Sequence, residues 1–276
     1  ELQDAINTAA AAGAGAKGWT ADLVVDKSGA TQQQVNYNGG SKWHSRVGGY
    51  LKNERVVLAN GDIVKSTVDG NTNDPNVNMT GWVFTSKVIY PSFDQLPSNA
   101  KSGQMAETIS YYEGLGYGGA TYVHNGSDWV IQPKNATISI EQFGAKCGPK
   151  PAANFNVFPE ETTDNTNAVK SAFTYALNNG LKLIAENRKC FFFENMASLQ
   201  FYGDVECDFN GALFFYSVAL AADKKLYKFL QISGMRRKLA NLEITSNGYM
   251  GYGVDFNKSL SDNQSLTVEK LRVYSC

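Results

Sequence analysis

Residues 163–180 read TDNTNAVKSAFTYALNNG, and this stretch decides the fold. Ala168/Val169, Ala172/Phe173 and Ala176/Leu177 recur every four residues and give one apolar stripe, the mark of a helix packed on one face. Thr163 or Asp164 can cap the free N–H groups at its start, and Gly180 supplies the stop at its end. Immediately after Gly180 the period changes. Short apolar segments follow at 181–185, 190–193, 205–209, 212–216, 227–232, 239–244, 252–256 and 266–274, separated by Gly, Asn, Asp and Ser turns. One amphipathic helix followed by a ladder of short strands predicts a solenoid whose open end the helix covers, with coils of about 20 to 30 residues. Without that cover the end would expose unpaired backbone and apolar core.

Working back toward the start, Thr137 to Phe143 reads as a strand that leads into Phe143-Gly144-Ala145-Lys146. Residues 91–136 form a separate small unit in which Asn125-Gly126 sits between two apolar runs, the strongest short hairpin signal. Gly114 to Gly119 (GLGYGG) superficially resembles a phosphate cradle, but it runs into a strand rather than opening a helix, so a turn is expected. Residues 19–90 read as a small β domain, with a second hairpin around Asn60-Gly61, a polar loop over 71–78 and a strand over 79–90. Residues 1–18 begin with an Ala-rich helix ended by Gly13, Gly15 and Gly18, too short to stand alone. The division is therefore 1–18, 19–90, 91–136 and 137–276, mainly β throughout.

Composition agrees. The 276 residues are 43% hydrophobic and 18% charged, with 26 Gly, 14 Tyr and 15 Phe, which suits a turn-rich β protein of two or three domains. A net charge of −1 gives no general attraction to nucleic acid, and no apolar run is long enough to span a bilayer. Glu1 does not open a signal peptide. Cys147, Cys190, Cys207 and Cys276 are widely spaced with only two His to assist them, so free thiols are expected, with no metal and no cofactor. Such thiols suit assembly in a reducing cytoplasm.

Phe143-Gly144-Ala145-Lys146 followed by Asp164-Asn165-Thr166-Asn167-Ala168-Val169 resembles the entry to the pectate-lyase-like superfamily, where Phe-Gly-Ala-Lys-Gly-Asp-Gly and Asp-Asp-Thr-x-Ala-Ile lead into a capping helix. Here Gly-Asp-Gly is replaced by Cys147-Gly148-Pro149, a long loop intervenes, and the second Asp is Asn165. Upstream, residues 18–26, 31–36, 55–67 and 70–82 resemble the anchor region of bacteriophage tailspikes. That double resemblance implies a homotrimer with a right-handed parallel β-helix, assembled in the host cytoplasm and carried on the virion tail. It would dock to a phage tail or baseplate protein and bind, and usually degrade, bacterial capsular or O-antigen polysaccharide. The alternative is a secreted non-viral carbohydrate enzyme or adhesin of the same superfamily.

Polysaccharide cleavage needs paired carboxyl groups for hydrolysis, or a base beside a uronate for elimination. Of the acids in the coils, Glu206 and Asp208 are the candidate pair, since side chains two apart on a strand share a face. The catalytic groups proper are expected in coils beyond Cys276. His44 and His124 have no nearby nucleophile pattern. The basic run 235–238 is expected to be a solvated turn in preference to a contact for an acidic glycan, and Tyr111-Tyr112, Tyr249 and Tyr252 to pack in cores or trimer contacts in preference to stacking on sugars.

Overall fold

The computed structural model describes residues 41–151, 158–194, 198–217, 228–233, 237–247, 252–257 and 266–274. The expected Ala-rich helix, residues 19–40, Tyr249 and Cys276 lie outside them. The chain divides into two compact units. One runs to Val88 and adds Ala100–Met105 and Val123–Trp129; the other takes Ile89–Asn99, Ala106–Tyr122 and the chain from Val130 onward.

The first unit is built on a four-stranded sheet of β1 (Ser41–Lys42), β2 (Arg55–Val57), β3 (Ile63–Ser66) and β4 (Trp82–Phe84) in that order. β2, β3 and β4 pair antiparallel, and β1 joins parallel to β2. Tyr50, Val56, Leu58, Val64, Trp82 and Phe84 make its core. The Asn60-Gly61 hairpin forms, but not with two residues at positive φ. Only Gly61 takes one, +90°, while Asn60 Oδ1 accepts the Asp62 N–H and so closes the turn with a side chain. The polar loop 71–78 is pinned by Trp82 Nε1 donating to the Asn73 carbonyl and by Asn71 Nδ2 donating to the Gly81 carbonyl. The expected strand over 79–90 is two: β4, and β5 (Lys87–Tyr90). β5 heads a second sheet with β6 (Met105–Thr108), β7 (Thr121–His124) and β8 (Trp129–Gln132), so the Asn125-Gly126 hairpin also stands. Gly114–Gly119 is a turn entering β7, with Gly114, Gly116 and Gly118 all at positive φ.

In the second unit the strand expected over 137–143 stops at Ser139, giving β9 (Thr137–Ser139) and a 3₁₀ turn, Glu141–Phe143. Gly144 ends that turn at φ +91°, and a Cβ there would lie 2.9 Å from the Tyr111 ring. The helix is α1 (Thr166–Asn179), with Val169, Ala172, Phe173 and Ala176 buried and Gly180 left-handed at its end, as the stripe predicts. Asp164 Oδ1 accepts the Thr166 N–H at the helix start.

Beyond the helix come β10 (Lys182–Ile184), β11 (Cys190–Phe193), β12 (Leu199–Tyr202), β13 (Cys207–Tyr216), β14 (Lys228–Ser233), β15 (Lys238–Ser246), β16 (Tyr252–Asn257), β17 (Thr267–Glu269) and β18 (Arg272–Val273). All pair in parallel, coil upon coil, in three stacks: β9, β10, β13, β15 and β17; β11, β13, β15 and β18; and β12, β14 and β16. Leu183, Cys207, Leu239 and Val268 stand in register, so one coil takes about 24 to 32 residues.

Three details differ from the sequence reading. The two strands expected over 205–216 are one bent strand, since Asn210 and Gly211 adopt φ +54° and +79° and form a bulge opposite β15. β12 was not anticipated. The segment 266–274 is two short strands turned at Lys270, φ +51°.

Inside the coils the aromatics stack from level to level. Phe173 of α1 lies 4.7 Å from Phe201, and Phe201 lies 5.8 Å from Phe209, both nearly parallel. Each fully buried Phe contributes about 1.5–3 kcal/mol of transfer free energy, so the helix is held mainly by this stacked core. Outside the second stack, Cys190, Phe192, Leu213 and Phe215 form a smaller apolar cluster against which Phe158 packs.

Candidate functional site

Glu206 and Asp208 do lie on one side of the chain. Lys182 joins them, with its Nζ 2.9 Å from Glu206 Oε1 and 3.6 Å from Asp208 Oδ2. Burial opposes ionisation of Asp208. The bonds from Asn241 Nδ2 at 2.8 Å and the Asn210 N–H at 3.0 Å, with the Lys182 charge, outweigh it and hold the carboxyl below its ordinary range. Asp208 is therefore a charged acceptor at neutral pH, suited to a base, a nucleophile or an electrostatic role and unsuited to donating a proton. The Lys182 ammonium is held charged in turn, chiefly by its hydrogen bond to Glu206.

The charged pattern continues along the stack. Lys238 pairs with Glu269 at 2.7 Å, Arg237 with Asp204 at 2.9 Å, and Glu243 with both Lys150 at 2.8 Å and Arg272 at 3.5 Å. Arg237 and Lys238 of the basic run are thus each bound to an acid; Lys238 opens β15 instead of lying in a turn, and residues 235 and 236 lie outside the described residues. Asn241 and Lys270 occupy the same left-handed turn position in successive coils, with Asn210 at the bulge of the coil before them. Sequence reasoning found the acids but not their partners, because Lys182 and Asp208 meet only when one coil lies on the next.

A second carboxyl pair lies where the first coil meets residues 117–119. Glu141 is wholly buried, and its carboxyl accepts the Glu186 and Asn187 N–H groups at 3.1 and 3.0 Å. Burial is the main cause that pushes it from an ordinary value near 4.5 up to about 7. Glu186 accepts the Ser139 hydroxyl at 2.7 Å and the Gly118 N–H at 3.1 Å. A Cβ on Gly118 would meet the Glu141 carbonyl at 2.4 Å, so the glycine turn is shaped to fit here. This is a structural knot, since each carboxyl oxygen already has a partner.

A cleft of about 400 Å³ opens between α1 and β12. Lys170 and Thr174 on the helix and Gln200 and Tyr202 on the strand line it, over the stacked rings of Phe173 and Phe201. The alternation of Leu199-Gln200-Phe201-Tyr202, buried and exposed by turns, is the signal that would have placed β12 and this cleft.

His124, Tyr111 and Tyr112 have structural partners among the described residues. His124 is buried, accepts the Gly126 N–H at Nδ1 and meets the Trp129 ring edge-on. Tyr111 stacks on Phe93 at 5.0 Å and contacts Tyr112 edge-on. Cys147, Cys190 and Cys207 are free, buried thiols. Burial pushes Cys147 up to about 11 and Cys190 up to about 12, and raises Cys207 as well. No helix among the described residues is long and apolar enough to cross a membrane.

The described chain is thus mostly β, one helix leading into stacked parallel coils. No protein-family model matches it. Among solved structures it is similar to the phiAB6 tailspike, determined with three-repeated oligosaccharides of Acinetobacter baumannii surface polysaccharide. The two are 20% identical, with 86% of this chain and 44% of that one covered and a TM-score of 0.35. It is also similar to the tailspike of Acinetobacter phage vB_ApiP_P1, at 17% identity, 67% and 39% coverage and a TM-score of 0.32. A third is Pantoea stewartii WceF, a glycan biofilm modifying enzyme with a tailspike-like parallel β-helix fold, at 13% identity, 67% and 38% coverage and a TM-score of 0.34. The chain spans less than half the length of each, and likeness at this level assigns no activity.

Proposed function

We propose that this chain is the opening part of a bacteriophage tailspike: a small β domain that anchors the spike to the tail, followed by the capped first coils of a right-handed parallel β-helix that binds bacterial surface polysaccharide. The observation that carries the reading is the parallel register of the coils directly beneath α1, at the point where the Phe143–Lys146 and Asp164–Val169 motifs predict a capped β-helix. Stacked coils present long lateral rows of polar side chains, such as Lys182, Glu206, Asp208 and Asn241, at the spacing of one strand per coil. An extended, repeating polymer is the ligand that such a surface suits. In this reading the assembly is a homotrimer on the virion, and cleavage of the glycan, by hydrolysis or elimination, is carried out by further coils of the same spike.

The test is binding of the chain to an array of bacterial capsular and O-antigen polysaccharides, with light scattering to give its mass. Retention on a subset of the polysaccharides and a mass near three chains are expected. A chain that is monomeric and retained on none of them would overturn the reading.

A further inference from the structure

The cleft between α1 and β12 lies apart from the charged lateral row and has its own chemistry. Its floor is apolar, made by the parallel rings of Phe173 and Phe201 at 4.7 Å. Tyr202 forms one wall; it is 44% exposed although its ring lies 5.6 Å from that of Phe173. An aromatic so placed offers apolar surface and a phenol together, the combination that suits the C–H face and hydroxyl rim of a pyranose. Gln200 spends its Nε2 on Gln231 Oε1 at 2.9 Å, leaving its own Oε1 as an acceptor. Lys170 and Thr174, one helical turn apart, bring an ammonium and a hydroxyl to the opposite rim. Among the described residues, Lys170 is the one charged side chain in the lining, and no carboxylate faces it and no ion pair joins it there. β12 is the outermost strand of its sheet, so the cleft also runs along a strand edge with no neighbour among the described strands. Its volume falls in the range of small-molecule sites.

We propose that this cleft is a separate glycan subsite at the capped end of the stack, taking a pyranose that carries a carboxylate, with the sugar face on Tyr202 and the carboxylate on Lys170. The proposal rests on the polysaccharide-binding reading above and adds to it a place and a sugar class.

The test uses the whole chain on the same array, divided into uronate-containing and neutral polysaccharides, with Tyr202→Ala, Tyr202→Phe and Lys170→Gln beside Lys52→Gln, which removes an exposed lysine outside both the cleft and the lateral row. Both cleft positions are at the surface, and circular dichroism checks that each variant is folded. Uronate-containing polymers are expected to bind. Tyr202→Ala and Lys170→Gln should each weaken them about tenfold, Tyr202→Phe should keep most of the affinity, and Lys52→Gln should not reproduce the loss. Binding that survives Tyr202→Ala and Lys170→Gln unchanged overturns the cleft while leaving the polysaccharide reading intact. Loss with Tyr202→Ala alone, on neutral polymers, overturns the carboxylate assignment. No binding by the unaltered chain overturns the reading itself, and the cleft with it.

Discussion

Asn165 binds Lys146 twice: the Lys146 N–H donates to Asn165 Oδ1 at 2.7 Å, and Asn165 Nδ2 donates back to the Lys146 carbonyl at 3.0 Å. The same Nδ2 also lies 3.1 Å from the Thr163 carbonyl and 3.0 Å from that of Phe192. One buried amide thereby joins the Phe-Gly-Ala-Lys turn, the start of α1 and the end of β11.

Asp is the residue that the pectate-lyase-like motif carries at this position, and it is the wrong residue here. A carboxylate accepts and cannot donate, so Asn165→Asp would set a buried negative oxygen against three carbonyls. The expected loss is about 3 kcal/mol or more, read as a lower urea midpoint with an unchanged slope. A loss under about 1 kcal/mol would show that the amide is not what holds the junction.

Glu141 gives stability an unusual pH dependence. Its folded value of about 7 exceeds the ordinary 4.5, so between those values the folded protein keeps a proton that the unfolded chain releases. This contribution is full below about pH 4.5 and is lost as pH rises through 7. The unfolding free energy should fall by on the order of 1–3 kcal/mol from pH 5 to 8, seen as a falling urea midpoint, and Glu141→Gln should flatten that slope. A midpoint rising over this range, with Glu141→Gln identical to the parent, would refute it.

Lys270 sits at φ +51°, where the matching turn position in the preceding coil is held by Asn241 at +55°. Asn tolerates this region far better than Lys. Lys270→Asn should raise stability by about 0.5–1 kcal/mol, and Asn241→Lys should lower it by more, since it also removes the bond to Asp208. Thermal melts of the pair decide the matter.

Gly144 has both a left-handed backbone and the Tyr111 ring 2.9 Å from where a Cβ would stand. Gly144→Ala is therefore expected to cost about 2 kcal/mol or more, combining backbone strain with displacement of the tyrosine. If Gly144→Ala costs little when made in a Tyr111→Ala background, crowding dominates; if it costs as much there, backbone strain does.

Glu206 and Asp208, with Lys182, are half-exposed partners, so Glu206→Gln is expected to change stability by less than about 1 kcal/mol, and less still in high salt. Unfolding curves at low and high ionic strength measure this directly.

What the chain's sequence makes legible is local. The stripe from Ala168 to Leu177 and the stop at Gly180 give α1, and apolar runs such as Cys190–Phe193 give strands because each is read over a few neighbours. Leu199–Tyr202 carries only two apolar positions in alternation, a weak strand signal beside the continuous apolar run of Cys190–Phe193. The break expected between Phe209 and Ala212 was drawn from Asn210-Gly211, which marks a turn in most contexts and here makes a bulge because β15 runs on alongside. The ion pair of Lys182 with Asp208, the knot of Glu141 with Glu186 and the Phe173–Phe201 floor join residues a coil or more apart. They exist only through stacking, and no local pattern announces them.

The buried thiols turn the coil stack into its own gauge. Cys207 sits in the core, Cys190 beneath the loop at Gly148, and Cys147 beside Tyr117, each protonated and shielded. A thiol-labelling reagent reaches Cys207 only when the coil core opens, and Cys147 and Cys190 when the loop at Gly148 lifts, so labelling rates separate these two openings of one molecule. The chain carries, without added probes, a record of which layer loosens first.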